Sequence, residues 1–258
     1  MLNRYPLHDL IEQRRTALGL ILNMPCAPLV EIGSLMGFDW VMIDAEHGTI
    51  DGNEAEPMIR QAELARIAPV VRVGSAQPEI ALRYLDLGAV GIMFPHIKTA
   101  DEARAACDAV RFPPRGRRGA APSTNAAGFG TRMPYKQYMQ HANDLLLPMM
   151  IIEDPEAVEN IEDIVRVDDI AVIVIGAMDL CCSMGFPGDP NAPEVEAAVD
   201  RIIKACKAAG KPICLAGGSA EASKRNLALG ADMLFTPIGS WLASYGKAYT
   251  DAVRSAGK

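Results

Sequence analysis

Eight short apolar runs, spread along 258 residues with helical patterns between them, constrain this chain more than any other feature. They fall at 17–24, 40–44, 69–73, 91–97, 145–153, 170–176, 212–218 and 233–239. Most are continuous, as in "WVMID" and "IAVIVIG", rather than alternating. A strand buried on one face alternates; one buried on both faces, in a parallel sheet clad by helices, does not. In "EVEAAVDRIIKACKAAG", Val195, Val199, Ile202, Ile203 and Cys206 form one helical stripe that Gly210 and Pro212 close. "DPEAVENIEDIV" offers Asp154 as a cap and Pro155 as the first helical residue. Eight strands alternating with helices predict an α/β fold, a (β/α)8 TIM barrel forming one domain over residues 1–258. A doubly wound open sheet is the alternative. The strand count and the lack of a G-x-G-x-x-G turn weigh against it.

The stretch 112–143 differs in composition, being rich in Gly, Pro, Ala and Arg. It is too long for an ordinary strand-to-helix connection, and loops of that length are usually functional or mobile.

With 50% hydrophobic residues the chain has material for one large core. A net charge of −7 argues against a nucleic-acid or anionic-membrane partner and leaves any acidic substrate to local Arg or Lys. "MLNRYPLHDLIEQRR" has no apolar signal core, and "LLLPMMII" is far short of a membrane span. Six cysteines without C-x-x-C spacing read as reduced thiols, with adjacent Cys181 and Cys182 as small buried residues. The expectation is a soluble, cytoplasmic protein.

In such a barrel the active site lies at the C-terminal ends of the strands. "VMIDAEHG" ends the second strand in Asp44, Glu46 and His47, and the third carries Arg72. His96 and Lys98 follow the fourth, Glu153 and Asp154 the fifth, and Asp179 the sixth. Acids converging on one mouth, with an Arg and a His, suggest a divalent metal held by oxygens. Each residue also has a plainer reading. Asp154 reads as a helix cap, and Asp179 as a cap of "DLCCSMG". Arg72 reads as the partner of Asp44 or Glu46 in a core ion pair, and His96 as structural. Glu153 resists such a reading, because a carboxylate at a buried strand end needs a partner. His47, beside two acids, reads as a base. Lys98 looks like the start of a polar loop, which weighs against a Schiff base. Gly217–Gly218 suits a phosphate cradle or a tight turn, and Arg117–Arg118 an anion site or a solvated loop.

The motifs "FDWVMIDAEHG", "VVRV", "LDLGAVGIMFPHIKTADEA", "RGRRG", "IIEDPEAVENI", "GAMDLCCSMGFPGDP" and "LALGADMLFTPIGS", in this order, resemble the HpcH/HpaI aldolase family. The resemblance implies a (β/α)8 barrel and a class II, metal-dependent pyruvate aldolase. Such an enzyme cleaves 4-hydroxy-2-oxo acids into pyruvate and an aldehyde through a metal-stabilised enolate, or runs the reverse. It implies metal ligation by Glu153 and Asp179, with Mg²⁺ or Mn²⁺ as the cation and Co²⁺ a third candidate. His47 becomes the base, oriented by Asp44, and Arg72 binds the 2-oxo group and stabilises the enolate. The backbone of Gly176, Ala177 and Met178 becomes a seat for the substrate carboxylate. The resemblance also implies a homo-oligomer, a hexamer or trimer, with a C-terminal helix at about 240–256 exchanged between subunits. Two positions depart from the family pattern. Ile151 stands where Gln is common, and "GAMDLC" where Gly-Pro-x-Asp-Leu-Ser is usual. An apolar Ile cannot replace glutamine's hydrogen bonds. That keeps open an oxaloacetate decarboxylase or another carbon–carbon bond synthase using the same site. A non-enzymatic 2-oxo-acid binder is the third reading.

Overall fold

A parallel strand leaves its chain at the wrong end to pair with the next, so each needs a crossover, and here helices supply it. The computed structural model describes residues 2–256. The eight strands are β1 (Ala17–Leu22), β2 (Trp40–Asp44), β3 (Ala68–Arg72), β4 (Gly91–Phe94), β5 (Leu147–Ile152), β6 (Val172–Ile175), β7 (Ile213–Ala216) and β8 (Met233–Pro237). They pair in chain order, all parallel, and β8 closes onto β1. The expected barrel is thus the observed one, and each apolar run became a strand. Several end earlier than expected; β4 stops at Phe94, before Pro95 and His96.

Around the barrel lie α1 (Pro6–Glu12), α2 (Ala27–Leu35), α3 (Gly52–Ala65), α4 (Pro78–Leu87), α5 (Ala100–Val110) and α6 (Tyr135–Leu145). The second half adds α7 (Pro155–Glu159), α8 (Ile161–Ile164), α9 (Ala177–Ser183), α10 (Pro193–Ala209), α11 (Ala220–Leu229) and α12 (Ile238–Ala256). Strand residues from β2 to β6 are almost wholly buried, which is why these runs need no polar alternation. Gly19 on β1 is the register partner of Trp40, and a Cβ there would enter the indole ring. The fully buried Trp40 meets Phe235 edge-on, centroids 6.2 Å apart. Truncating Trp40 to Ala would cost about 3–5 kcal/mol.

The stretch 112–143 is not a strand-to-helix loop. It follows α5 and leads to β5, so it lies at the N-terminal ends of the strands, across the barrel from the expected site. It also contains most of α6. Its backbone is tied down: Leu2 N–H donates to the Ala126 carbonyl, and Ala126 N–H to that of Asp86 at the end of α4. Arg118 is buried there, 2.9 Å from Asp86 and with its guanidinium carbon 4.5 Å from the Phe112 ring centroid. Arg117 remains exposed near Asp108. Neither faces the strand C-termini.

The single helix expected in "DPEAVENIEDIV" is two. Asn160 breaks it between α7 and α8, and its side-chain amide donates to the Lys98 carbonyl at 3.0 Å. Among the described residues, no helix is long and apolar enough to cross a membrane.

Candidate active site

The site grows from the register of β2 and β3. Asp44 and Arg72 are the last residues of their strands and are direct register partners. That places an acid and a base side by side at the barrel mouth. The Asp44 carboxylate is 3% exposed and takes Arg72 in a bidentate grip, with Nε donating at 3.0 Å and Nη2 at 2.7 Å. Asp44 also accepts the backbone N–H groups of Glu46 and His47, both at 3.2 Å. These bonds fold the chain after β2 into a tight loop. Gly48 is required there, since a Cβ would strike the Asp44 and Asn23 carbonyls.

That loop presents Glu46 inward and His47 outward. The Glu46 carboxylate lies 3.3 Å from Arg72 Nε and 3.8 Å from His47 Nε2. Burial raises the pKa of Glu46 above the usual carboxylate value, against the pull of Arg72 and His47. Burial works against the Arg72 charge, but Asp44, Glu46 and Glu153 outweigh it and hold the guanidinium firmly protonated. The plainer reading of Arg72, a core ion pair with Asp44 or Glu46, is present, and one face of the guanidinium stays at the mouth.

Glu153 follows β5 and is 2% exposed. Its Oε1 accepts the His96 backbone N–H at 2.8 Å, and His96 Nδ1 lies 3.3 Å away. Burial raises its pKa, and the charges of Asp179 and Glu46 add to the effect. The other oxygen lies against Gly176, where a Cβ would come within 2.8 Å of it. Ile151 borders the same point, its Cγ2 3.2 Å from that Cβ position. Gly176 caps α9, and Asp179 sits in the first turn. Asp179 is therefore the third helical residue, which removes its plainer reading as a cap.

Asp154 occupies a cap position too, but its side chain makes no capping bond. It turns instead to His96 Nδ1 at 3.1 Å and Lys98 Nζ at 3.6 Å. His96, expected to be structural, is thus part of the site. It holds a left-handed φ of 55° after Pro95, and its partners are the two residues that follow the neighbouring strand, β5. No local pattern announces such a contact. Lys98 does begin a polar loop: its N–H and that of Thr99 bond Glu102, in the capping box of α5. Ser219, beyond Gly217–Gly218, caps α11 through the Ala222 N–H.

The donor set fits a hard divalent cation. Glu153 is a buried carboxylate whose pKa burial raises against the opposing contacts of His96, and its second oxygen accepts no protein hydrogen bond. A dication would remove that cost. Among the described residues, no three His, Cys, Asp or Glu side chains converge as a cage. The pair Glu153 and Asp179 would leave most coordination positions to substrate and water.

Comparison with known proteins agrees with this geometry. A model of the HpcH/HpaI aldolase/citrate lyase family matches residues 18–231. A pyruvate aldolase of Rhizobium etli is 34% identical over 87% of each chain. A 4-hydroxy-2-oxo-heptane-1,7-dioate aldolase of Salmonella paratyphi B is 36% identical over 90% of this chain and 86% of its own. Among solved structures, a family protein of Burkholderia cenocepacia superposes with a TM-score of 0.92 at 31% identity, covering 97% of this chain and 100% of that one. The citrate synthase SbnG superposes at 0.87 with 27% identity, covering 98% and 99%. With a closed eightfold barrel, its acids at the strand C-termini and a family match across most of its length, this chain belongs to the HpcH/HpaI aldolase/citrate lyase family.

Proposed function

We propose that this protein is a divalent-metal-dependent pyruvate aldolase, cleaving or forming 4-hydroxy-2-oxo acids. The observation that carries the reading is Glu153, a carboxylate buried at the barrel mouth whose second oxygen accepts no protein hydrogen bond, with Arg72 and His47 at the same rim. Relatives named as aldolases, at 34–36% identity over most of the chain, support it.

Glu153 and Asp179 would hold the cation, Mg²⁺ or Mn²⁺ by the hardness of the donors, with Co²⁺ a third candidate. When bound, it supplies Lewis-acid stabilisation of negative charge on the 2-oxo oxygen. His47 takes the 4-hydroxyl proton, and C4 becomes the aldehyde carbon. The C3–C4 bond breaks, and its electron pair passes into the enolate of pyruvate. Arg72, held rigid by Asp44, offers a fixed positive charge to the enolate oxygen without reorganising. Protonation at C3 then yields pyruvate. The α9 backbone at Gly176, Ala177 and Met178 would receive the substrate carboxylate.

The working form would be a homo-oligomer, hexameric or trimeric, in the cytoplasm. The support is α12. Beyond Ile238 its residues are largely exposed, and Leu242, Tyr245, Tyr249 and Val253 form an apolar stripe. A groove of about 300 Å³, lined by Leu18, Phe38, Leu234, Phe235 and Trp241, runs along the outside of β8 and β1. An exchanged α12 would cover such a groove.

Ile151 and the likeness to a citrate synthase favour a second reading, carbon–carbon bond synthesis or decarboxylation of oxaloacetate. Turnover of oxaloacetate and of a 4-hydroxy-2-oxo acid, measured on one preparation, separates the two. The aldolase reading predicts the larger kcat/KM for aldol cleavage, and the reverse ranking overturns it.

A further inference from the structure

Two carboxylates follow β2, and the geometry divides their work. Asp44 is fully committed: its oxygens hold Arg72 Nε and Nη2 and two backbone N–H groups. None of these bonds reaches the His47 imidazole. Glu46 Oε2 is the reverse case. It is buried from solvent and has no hydrogen-bond partner. A buried carboxylate oxygen without a donor keeps an uncompensated desolvation cost. Arg72 Nε lies 3.3 Å away, but its one N–H is given to Asp44. The uncommitted donor beside it is His47 Nε2, at 3.8 Å, on a side chain that is 60% exposed and free to close the gap.

We propose that Glu46 is the positioning residue of the base: it accepts the His47 Nε2–H and leaves Nδ1 as the nitrogen that takes the substrate proton. Asp44 then positions Arg72 and shapes the loop. The inference rests on His47 acting as the base of the reaction proposed above. The arrangement suits proton transfer. A proton arriving at Nδ1 makes an imidazolium beside a buried carboxylate, and the new charge is compensated where it forms. The other charged groups facing Glu46 are Arg72 from β3, Asp44 from β2, His96 after β4 and Glu153 after β5. Arg72 is shared with Asp44, so Glu46 keeps negative charge available to His47.

Two measurements test the division. The first is independent of turnover: the ¹⁵N–¹H spectrum of the histidine side chains, with His47 assigned by its absence in His47→Gln. A persistent Nε2–H resonance is expected for His47 in the wild-type protein and should vanish in Glu46→Ala. Its absence from the wild type, or its survival in Glu46→Ala, overturns the proposal even if the aldolase reading stands. The second is the split between kcat and KM for pyruvate release. Glu46→Gln should lower kcat by about tenfold or more and leave KM within about twofold. Asp44→Asn should raise KM as well, because it frees Arg72 from its bidentate grip. An unchanged kcat in Glu46→Gln, or a raised KM in Glu46→Gln instead of Asp44→Asn, contradicts it. A wild type that releases no pyruvate fails the aldolase reading, and the resonance then decides on Glu46 alone.

Discussion

Arg72 and His47 meet the substrate in different ways, and substitutions should separate them. His47→Ala is expected to abolish cleavage while leaving divalent-cation affinity within about twofold, read by calorimetry, because His47 contacts neither Glu153 nor Asp179. Arg72→Lys keeps the charge but loses the bidentate grip on Asp44, and should lower kcat by about 10²-fold. His8 supplies a residue-scale test of stability. It is buried; Tyr5 N–H donates to its Nδ1, and its Nε2 faces the Leu145 carbonyl at 2.8 Å. Burial lowers its pKa, against the two carbonyls that favour the proton. The folded state therefore prefers neutral His8. Its contribution is full above the unfolded value of about 6.5 and is lost as pH falls through that value toward the lowered folded one. The melting temperature of the wild type should fall between pH 7.5 and 5.5 by more than that of His8→Gln. Equal slopes would remove His8 as the cause. Which charged residues meet at the barrel mouth was largely legible in the sequence, because Glu153, Arg72 and the Asp44–His47 run interrupt apolar strands where a buried charge needs a reason. The partners were legible only in part. The pairing of Arg72 with Asp44 or Glu46 was among the readings, and the parallel register, which sets Arg72 opposite Asp44, explains it. Asp154 looked like a cap, but His96 and Lys98 across the β4–β5 pair draw it away.

Elements were legible wherever one force dominated. Apolar runs marked all eight strands, and most are continuous, since burial on both faces leaves no room for polar alternation. Helix α10 was legible in its apolar stripe and in Gly210, which takes a left-handed φ of 67° at its end. The stretch 112–143 was misread because loop length does not reveal which end of the barrel a connection occupies. Only the order helix, then strand, sets it at the base. At this scale Gly176 ties an element to the site. A Cβ on Gly176 would press within 2.8 Å of the Glu153 side chain, so Gly176→Ala should displace that carboxylate and weaken cation binding by about 10–100-fold. The capping box of α5 offers a control away from catalysis. Thr99 Oγ1 accepts the Glu102 N–H, and Thr99→Ala should cost about 1 kcal/mol of unfolding free energy with cation affinity unchanged.

At the scale of the whole molecule, the barrel supplies a rigid rim on which residues from β2, β3, β4, β5 and α9 converge. Its last helix is the exception, presenting an apolar stripe to solvent while the wall by β8 and β1 stays open. Light scattering should give a mass several times that of one chain, and Tyr245→Asp with Tyr249→Asp should reduce it. A monomeric wild type would contradict the exchange of α12. The central claim is that a divalent cation at Glu153 and Asp179 works with Arg72 and His47 to release pyruvate. The most direct test strips the protein with a chelator and follows pyruvate release from a 4-hydroxy-2-oxo acid as Mg²⁺ or Mn²⁺ is returned. Loss of cleavage on chelation and recovery with either cation is the predicted result; cleavage that survives exhaustive chelation would contradict the account.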